Sequence, residues 1–273
     1  MTDACTQSLR MSFAARFAMI MILGLAAFAA QADSASQAAR EPACQARDFE
    51  GSGFLVCRWR PGAEDLRLDW TDASGVPLRG FDKLEHTLGP AAARVRFAMN
   101  AGMFENDGHP LGLFVADGRT LSPLNRFHGF GNFYLKPNGV FSVTADGRAR
   151  IDTTDAFASA ARKPVWATQS GPMLVVDGEL HPAIQPDGPS RLVRNGVGVD
   201  AEGSAYFVIS QSPVSFGKLA RLFRDDLHCP NALFLDGTVS SLWAPALHRR
   251  DSDRLIGPIV TVLDRTGQIP QDR

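Results

Sequence analysis

Short apolar runs closed off by Asp-Gly and Asn-Gly pairs recur along this chain, and that spacing leaves little room for long helices. The run at residues 111–116 stops at Asp117-Gly118, the one at 140–143 precedes Asp146-Gly147, and the one at 173–176 stops at Asp177-Gly178. Residues 133–136 and 140–143 flank Pro137-Asn138-Gly139. Such pairs tolerate the left-handed backbone of tight turns, so each marks an expected hairpin. Further strands are expected at 54–59, 66–70, 95–100, 120–124, 197–199, 206–210 and 259–263. A short helix is expected at 81–88, and another at 152–162 with Thr153 and Thr154 as caps. The strongest helix starts at Ser215, after which Phe216, Leu219, Ala220, Phe223 and Leu227 recur at helical spacing and read as core packing. Strand, helix and strand from Tyr206 through Leu235 make one βαβ-like unit in a hairpin-rich chain. The expectation is α+β: a single domain with a strand-rich mixed sheet, hairpins and a few packed helices.

That domain is expected to span residues 33–273. Before it, Arg10 and Arg16 precede an apolar stretch at 17–29, and Ala30-Gln31-Ala32 offers a small-x-small cleavage site. Residues 1–32 therefore read as a signal peptide, and a retained membrane anchor is the competing reading. No later stretch is apolar for long enough to cross a membrane. The expected destination is the periplasm or the extracellular space. Lysine and arginine total 28 against 29 acidic residues, without runs of either sign, so no basic face for nucleic acid is expected.

Cys5 leaves with the leader. Cys44 and Cys57 are close in sequence, and in an oxidising compartment they form a candidate disulfide. Cys229, next to Pro230, reads as a small buried hydrophobe, and no Cys-x-x-Cys or His-x-x-x-His spacing points to zinc.

Four stretches carry candidate chemistry. Residues 231–243 read Asn-Ala-Leu-Phe-Leu-Asp-Gly-Thr-Val-Ser-Ser-Leu-Trp: a strand buried on both faces that ends in a carboxylate, Asp236. A rigid strand is a common support for a reactive group, although Asp236-Gly237 also reads as a plain turn. Asn100 ends another strand, and Gly102, Glu105, Asp107 and His109 follow it on a loop. Thr168 to Pro172 includes Ser170 and Gly171 but lacks the Gly-x-Ser-x-Gly frame of a nucleophile elbow. Arg194, followed by Asn195-Gly196, offers a planar guanidinium for phosphate or carboxylate.

Together these stretches resemble the phosphodiester glycosidases, a family that includes a lysosomal enzyme removing N-acetylglucosamine from a sugar phosphodiester. Asn-Ala-Gly-Met-Phe at 100–104, with Pro110 and Gly112 after it, resembles that family's Asn-Gly-Gly-Phe-Phe element. The blocks at 168–172, 194–198 and 235–241 match in order and spacing, and the resemblance is strongest to exported bacterial members. It covers about 44–262. Here Asp-Gly-Thr-Val-Ser-Ser stands where the family has Asp-Gly-Gly-Gly-Ser-Ser, and Ala101 replaces a glycine, so the lysosomal enzyme's substrate does not carry over.

The resemblance implies an exported hydrolase of glycosidic phosphodiester bonds acting on envelope or extracellular glycans, with a carbohydrate or sugar phosphate as ligand. Asp236 is then the expected catalytic carboxylate and Glu105 the second, with Asn100 orienting the ligand and His109 a proton carrier. Arg194 would meet the phosphate, joined by Asn195, Gly102, Ser170, Gly171, Gly237, Ser240 and Ser241 around the ligand. The resemblance implies no organic cofactor and leaves open a divalent cation such as calcium. A rival reading is a glycan- or envelope-binding protein that keeps the pocket without turnover. A third is a serine hydrolase using Ser170 with His109 or His228.

Overall fold

Tight turns divide the chain much as their sequence signals predict. At Asp117-Gly118 and Asp177-Gly178 both residues take positive φ, as a two-residue type I′ hairpin requires. Glu50-Gly51 does the same and closes a hairpin that carries no Asp or Asn signal. The computed structural model describes residues 41–265, and the expected leader at 1–32 lies outside them.

In chain order the strands of the first half are β1 (Cys44–Phe49), β2 (Ser52–Trp59), β3 (Glu64–Asp69), β4 (Val95–Asn100), β5 (Phe114–Ala116), β6 (Arg119–Ser122), β7 (Gly139–Thr144) and β8 (Ala149–Thr153). The second half adds β9 (Pro164–Ser170), β10 (Met173–Val176), β11 (Glu179–Leu180), β12 (Asn195–Val199), β13 (Ala205–Ser210), β14 (Asn231–Phe234), β15 (Leu242–Ala244), β16 (Arg249–Arg250) and β17 (Ile259–Asp264). The α-helices are α1 (Phe81–Leu88), α2 (Thr154–Ser159) and α3 (Phe216–Arg221).

The strands form three sheets, ordered β1-β2-β13-β12-β14-β10-β11, β16-β15-β4-β17-β3 and β6-β5-β9-β7-β8. Every ladder in them is antiparallel. Because β13 and β14 both pair antiparallel with β12, they run parallel to each other. The expected strand–helix–strand unit is therefore present, with β12 laid between its strands. The α+β reading holds, and the described residues from Ala43 onward belong to one compact unit.

One core joins the inner faces of the three sheets. Phe207 of the first sheet lies 5.7 Å from Phe97 of the second and 5.5 Å from Phe141 of the third, so each sheet contributes a ring. Each outer face is covered by a helix. Leu219, Ala220 and the adjoining Phe223 pack on the first sheet, Phe81, Leu84 and Leu88 on the second, and Phe157 on the third. Ser215 caps α3 by accepting from the Lys218 amide at 3.1 Å, as its position predicts. Close approach to Phe223 demands glycine in β12, since a Cβ on Gly198 would stand 2.5 Å from that ring. Cys229 is buried there with its thiol pushed up by burial, as a packing residue would be.

One expected strand is absent and one unexpected strand is present. Residues 133–136 are not a strand: Asn132–Tyr134 is a 3₁₀ turn, and Asn138 is a buried anchor and not a hairpin tip. Its amide donates to the Phe133 carbonyl at 2.8 Å and its oxygen accepts from Thr154 at 2.8 Å. Strand β1 was not expected at all, because its middle residues Gln45 to Asp48 are exposed and, apart from Ala46, polar, as on an edge. Its first residue carries the disulfide: Cys44 pairs in register with Cys57, with Cα atoms 3.9 Å apart.

Replacing Cys44 and Cys57 together by serine should lower stability by about 2–4 kcal/mol, the usual contribution of a native cross-link. Urea denaturation of oxidised wild type and the double variant measures this, and superimposable curves would mean the β1–β2 ladder holds without it.

Candidate functional site

The exits of β4 and β14 and the entries of β12 and β15 are stitched together by backbone bonds. The Asn100 amide donates to Ser241 O at 3.3 Å, Asp236 N to Ala101 O at 3.2 Å, and Leu235 N to Asn195 O at 3.2 Å. Over this frame lies one side-chain network. Asn100 Nδ2 donates to the Asp236 carbonyl at 2.7 Å, while its Oδ1 accepts from Asn195 Nδ2 and the Ser241 amide, both at 2.9 Å. Asn195 Nδ2 also reaches Asn100 O at 3.0 Å. Ser240 Oγ donates to Gly237 O at 3.0 Å, and Ser241 Oγ to Val239 O at 2.7 Å. Asn100, Asn195 and Ser241 are buried, and their polar atoms hold the 236–241 loop in one shape. Five of the expected site residues, Asn100, Asn195, Asp236, Ser240 and Ser241, thus belong to one connected cluster.

Asp236 stands apart within this cluster. Its Oδ1 accepts from the Thr238 amide at 3.2 Å and caps the 3₁₀ turn Gly237–Val239. No cation among the described residues pairs with it, and burial pushes its pKa up to about 6 against the pull of that one amide. Gly237 lies flat on Phe234, where a Cβ would stand 2.4 Å from the ring. Through Gly237, Thr238 and Ser240 the 236–241 loop borders a cavity of about 540 Å³ whose lining also includes Leu192, Arg249 and Asp251. Of the two side chains that distinguish this loop, Val239 packs into the α1 core while Thr238 faces the cavity.

Arg194 is buried to 1% exposure and makes no ion pair with any described carboxylate. Its Nε donates to Val214 O at 2.9 Å and its Nη2 to Ser190 O at 3.1 Å and Oγ at 3.0 Å. The guanidinium stacks 3.7 Å from the centre of Phe216. Burial without a counter-ion lowers its pKa to about 10, so it keeps its positive charge near neutrality.

Gly102 and Ser170 sit where the third sheet meets this frame. Gly102 N donates to Thr168 Oγ1 at 3.2 Å, and a Cβ on Gly102 would stand 2.3 Å from Gln169 O. Ser170 ends β9, fully buried, with its hydroxyl unpartnered among the described residues. Gly171 presses on the Phe133 carbonyl, and Pro172 O then accepts from Phe234 N at 3.0 Å. Neither His109 nor His228 is hydrogen-bonded to Ser170, so the pairing a serine nucleophile needs is absent among the described residues.

Glu105 and His109 lie on an exposed loop closed by Glu105 N to His109 O at 2.8 Å. The His109 ring packs edge-on to Trp70 at 4.8 Å, and no hydrogen bond or ion pair joins either residue to the 236–241 loop. Sequence reasoning missed Arg249 and Asp251, a charge pair at 2.7 Å whose carboxylate also accepts from the Leu242 amide. In sequence they look like any solvated Arg-x-Asp. It also missed Gln169, whose buried amide binds Leu113 N at 3.0 Å and Asn125 on both sides. Among the described residues no group of three or more His, Cys, Asp or Glu side chains converges on a point.

Comparison with known proteins adds a family. A family model described as phosphodiester glycosidase matches residues 93–262. The uncharacterized protein YigE of Escherichia coli (strain K12) is 34% identical over 183 residues, covering 67% of this chain and 71% of YigE. Among solved structures, the fold is similar to the zebrafish N-acetylglucosamine-1-phosphodiester alpha-N-acetylglucosaminidase catalytic domain, auto-inhibited by its pro-peptide. That match has a TM-score of 0.59 and 16% identity and covers 83% of this chain and 85% of that one. BPSS2145 of Burkholderia pseudomallei K96243, assigned as an exported protein, matches with a TM-score of 0.50 and 12% identity, covering 78% and 74%.

The Asp236 carboxyl makes a signed prediction for stability. A folded pKa above the usual 3.8 means that the protonated acid suits the fold better than the carboxylate. Its contribution is complete below about pH 4 and is lost as pH rises through about 6. Asp236→Asn should therefore be more stable than wild type at pH 8, by up to about 3 kcal/mol, and nearly equal to it at pH 4. Chemical denaturation at the two pH values measures this, and an equal difference at both would show that the carboxyl is not desolvated.

Proposed function

The chain belongs to the phosphodiester glycosidase family, and from that premise we propose that it hydrolyses glycosidic phosphodiester bonds in envelope or extracellular glycans after export. The observation that carries this reading is Asp236, a desolvated carboxyl with a pKa near 6 on a loop that borders an open cavity. Such a group is poised to exchange a proton close to neutral pH. Above pH 6 it is a carboxylate able to take a proton from water as the water oxygen bonds to the anomeric carbon. The bond from that carbon to the phosphate oxygen breaks, and the phosphomonoester leaves with the electron pair. A phosphate leaves readily, so the reaction needs little acid help at the leaving oxygen.

Arg194 supplies the complementary charge. A buried guanidinium with no carboxylate partner is costly alone, and an anionic ligand group offsets that cost. Asn100 and Asn195 act through the loop they hold: they are positioning residues for Asp236. Ser240 and Thr238 meet the ligand at the cavity wall. Export is supported by the leader-like N-terminus together with the Cys44–Cys57 disulfide.

Purified protein assayed on an aryl sugar-1-phosphodiester tests this. Asp236→Asn should lower kcat/KM by about 3 kcal/mol or more through kcat, with KM little changed. Arg194→Lys keeps the charge but loses the planar fork, so it should raise KM for the phosphodiester and weaken inhibition by inorganic phosphate. Its effect should shrink on a glycoside whose leaving group lacks phosphate. A folded Asp236→Asn protein with wild-type turnover would make Asp236 structural, and binding of sugar phosphate with no turnover by wild type would favour the non-catalytic glycan-binding reading.

A further inference from the structure

The segment from the end of β6 to the 3₁₀ turn at Asn132–Tyr134 is held at both ends yet exposes two large rings. At its base Asn125 N donates to Gln169 Oε1 at 2.9 Å, Gln169 Nε2 donates to Asn125 O at 2.7 Å, and Asn125 Nδ2 donates to Leu111 O at 2.9 Å. At the far end Gly129 lies on the Tyr134 ring, where a Cβ would stand 2.8 Å from Cδ2. Tyr134 in turn packs edge-on against the buried Phe133 at 5.0 Å. Phe127, between these anchors, is 77% exposed, and Phe130, directly after Gly129, is fully exposed. A fixed loop that holds two phenylalanines in water forgoes a large apolar contribution, the mark of a surface awaiting a partner.

The charges around the rings are mostly positive. Arg126 and His128 flank Phe127 in sequence, and with Lys136 they line a cavity of about 530 Å³ alongside Asn138, Thr153 and Thr154. One acid, Asp155, shares that cavity, and its contact with Arg126 is an exposed pair at 3.4 Å. Such a pair is weak and yields easily to another anion. Lys136 Nζ bonds the neutral Asn138 side chain at 3.0 Å. We propose that the 126–131 loop docks on an anionic lipid surface, with Phe127 and Phe130 entering the boundary between headgroups and acyl chains and with Arg126 and Lys136 meeting headgroup phosphates. A bilayer fits better than a glycan chain or a protein groove. The rings protrude and do not line the cavity beside them. Phenylalanine also offers sugar hydroxyls no polar handle.

The test is co-sedimentation of the leader-free protein with phosphatidylcholine vesicles, with or without phosphatidylglycerol. Wild type should partition onto the phosphatidylglycerol vesicles and be released by salt. Phe127→Ser with Phe130→Ser should reduce partitioning by about tenfold or more, and Arg126→Gln with Lys136→Gln should remove the preference for the anionic vesicles. Both rings are exposed, so the serine variant should melt as wild type does, which separates lost docking from lost folding. Equal partitioning of wild type and the serine variant, or no partitioning of wild type, overturns the proposal. So does self-association without vesicles that the serine variant abolishes, because the partner would then be a second copy of the chain.

Discussion

The Asn100 amide is the interaction on which the candidate site depends. Its nitrogen and oxygen join the exit of β4 to the Asp236 carbonyl, the Asn195 side chain and the Ser241 amide. The partners sit at the start of β12 and at the two ends of the 236–241 loop, so one buried side chain ties both to the exit of β4. An unsatisfied amide here would cost the full desolvation penalty of its polar atoms, which is why the geometry has one solution. Everything that borders the cavity from the 236–241 loop inherits its position from that solution.

Beside the Ser170 hydroxyl, unpartnered among the described residues, two ionisable groups escape this mutual satisfaction. Asp236 keeps a carboxyl whose only hydrogen bond among the described residues is to the Thr238 amide, and Arg194 keeps a charge answered only by carbonyls, a hydroxyl and aromatic faces. Proteins seldom leave a buried charge unmatched unless a partner arrives later. The contrast is informative because the surroundings are otherwise well paired. Local departures from complete satisfaction, set in a frame that meets it, are where chemistry is expected.

Much of this was legible in the sequence. The buried run ending at Asp236, the strand ending at Asn100 and the Ser215 cap were visible because each rests on a local signal: a doubly buried strand, a turn, a hydroxyl before a helix. What escaped depended on distant partners. Asn138 looked like a hairpin tip because Pro-Asn-Gly usually is one, yet its amide is used on Phe133 and Thr154. Gln169 and the Arg249–Asp251 pair carry no local pattern that separates them from ordinary polar residues. Glu105 and His109 stand near Asn100 in sequence and are of the right residue type, but their loop turns toward Trp70.

The hub of Phe97, Phe141 and Phe207 has a consequence for how the molecule comes into being. Its rings come from three sheets, and the partners of Asn100 stand 95, 136 and 141 positions further along the chain. Ala101 needs Pro258 as well. Contacts so remote in sequence form late and slowly compared with local ones. A growing chain therefore holds no assembled site until residues 100–258 have all emerged, and a fragment holding only part of that span carries only pieces of it. Assembly of the cluster is a readout of synthesis through Pro258: no shorter length of chain presents it.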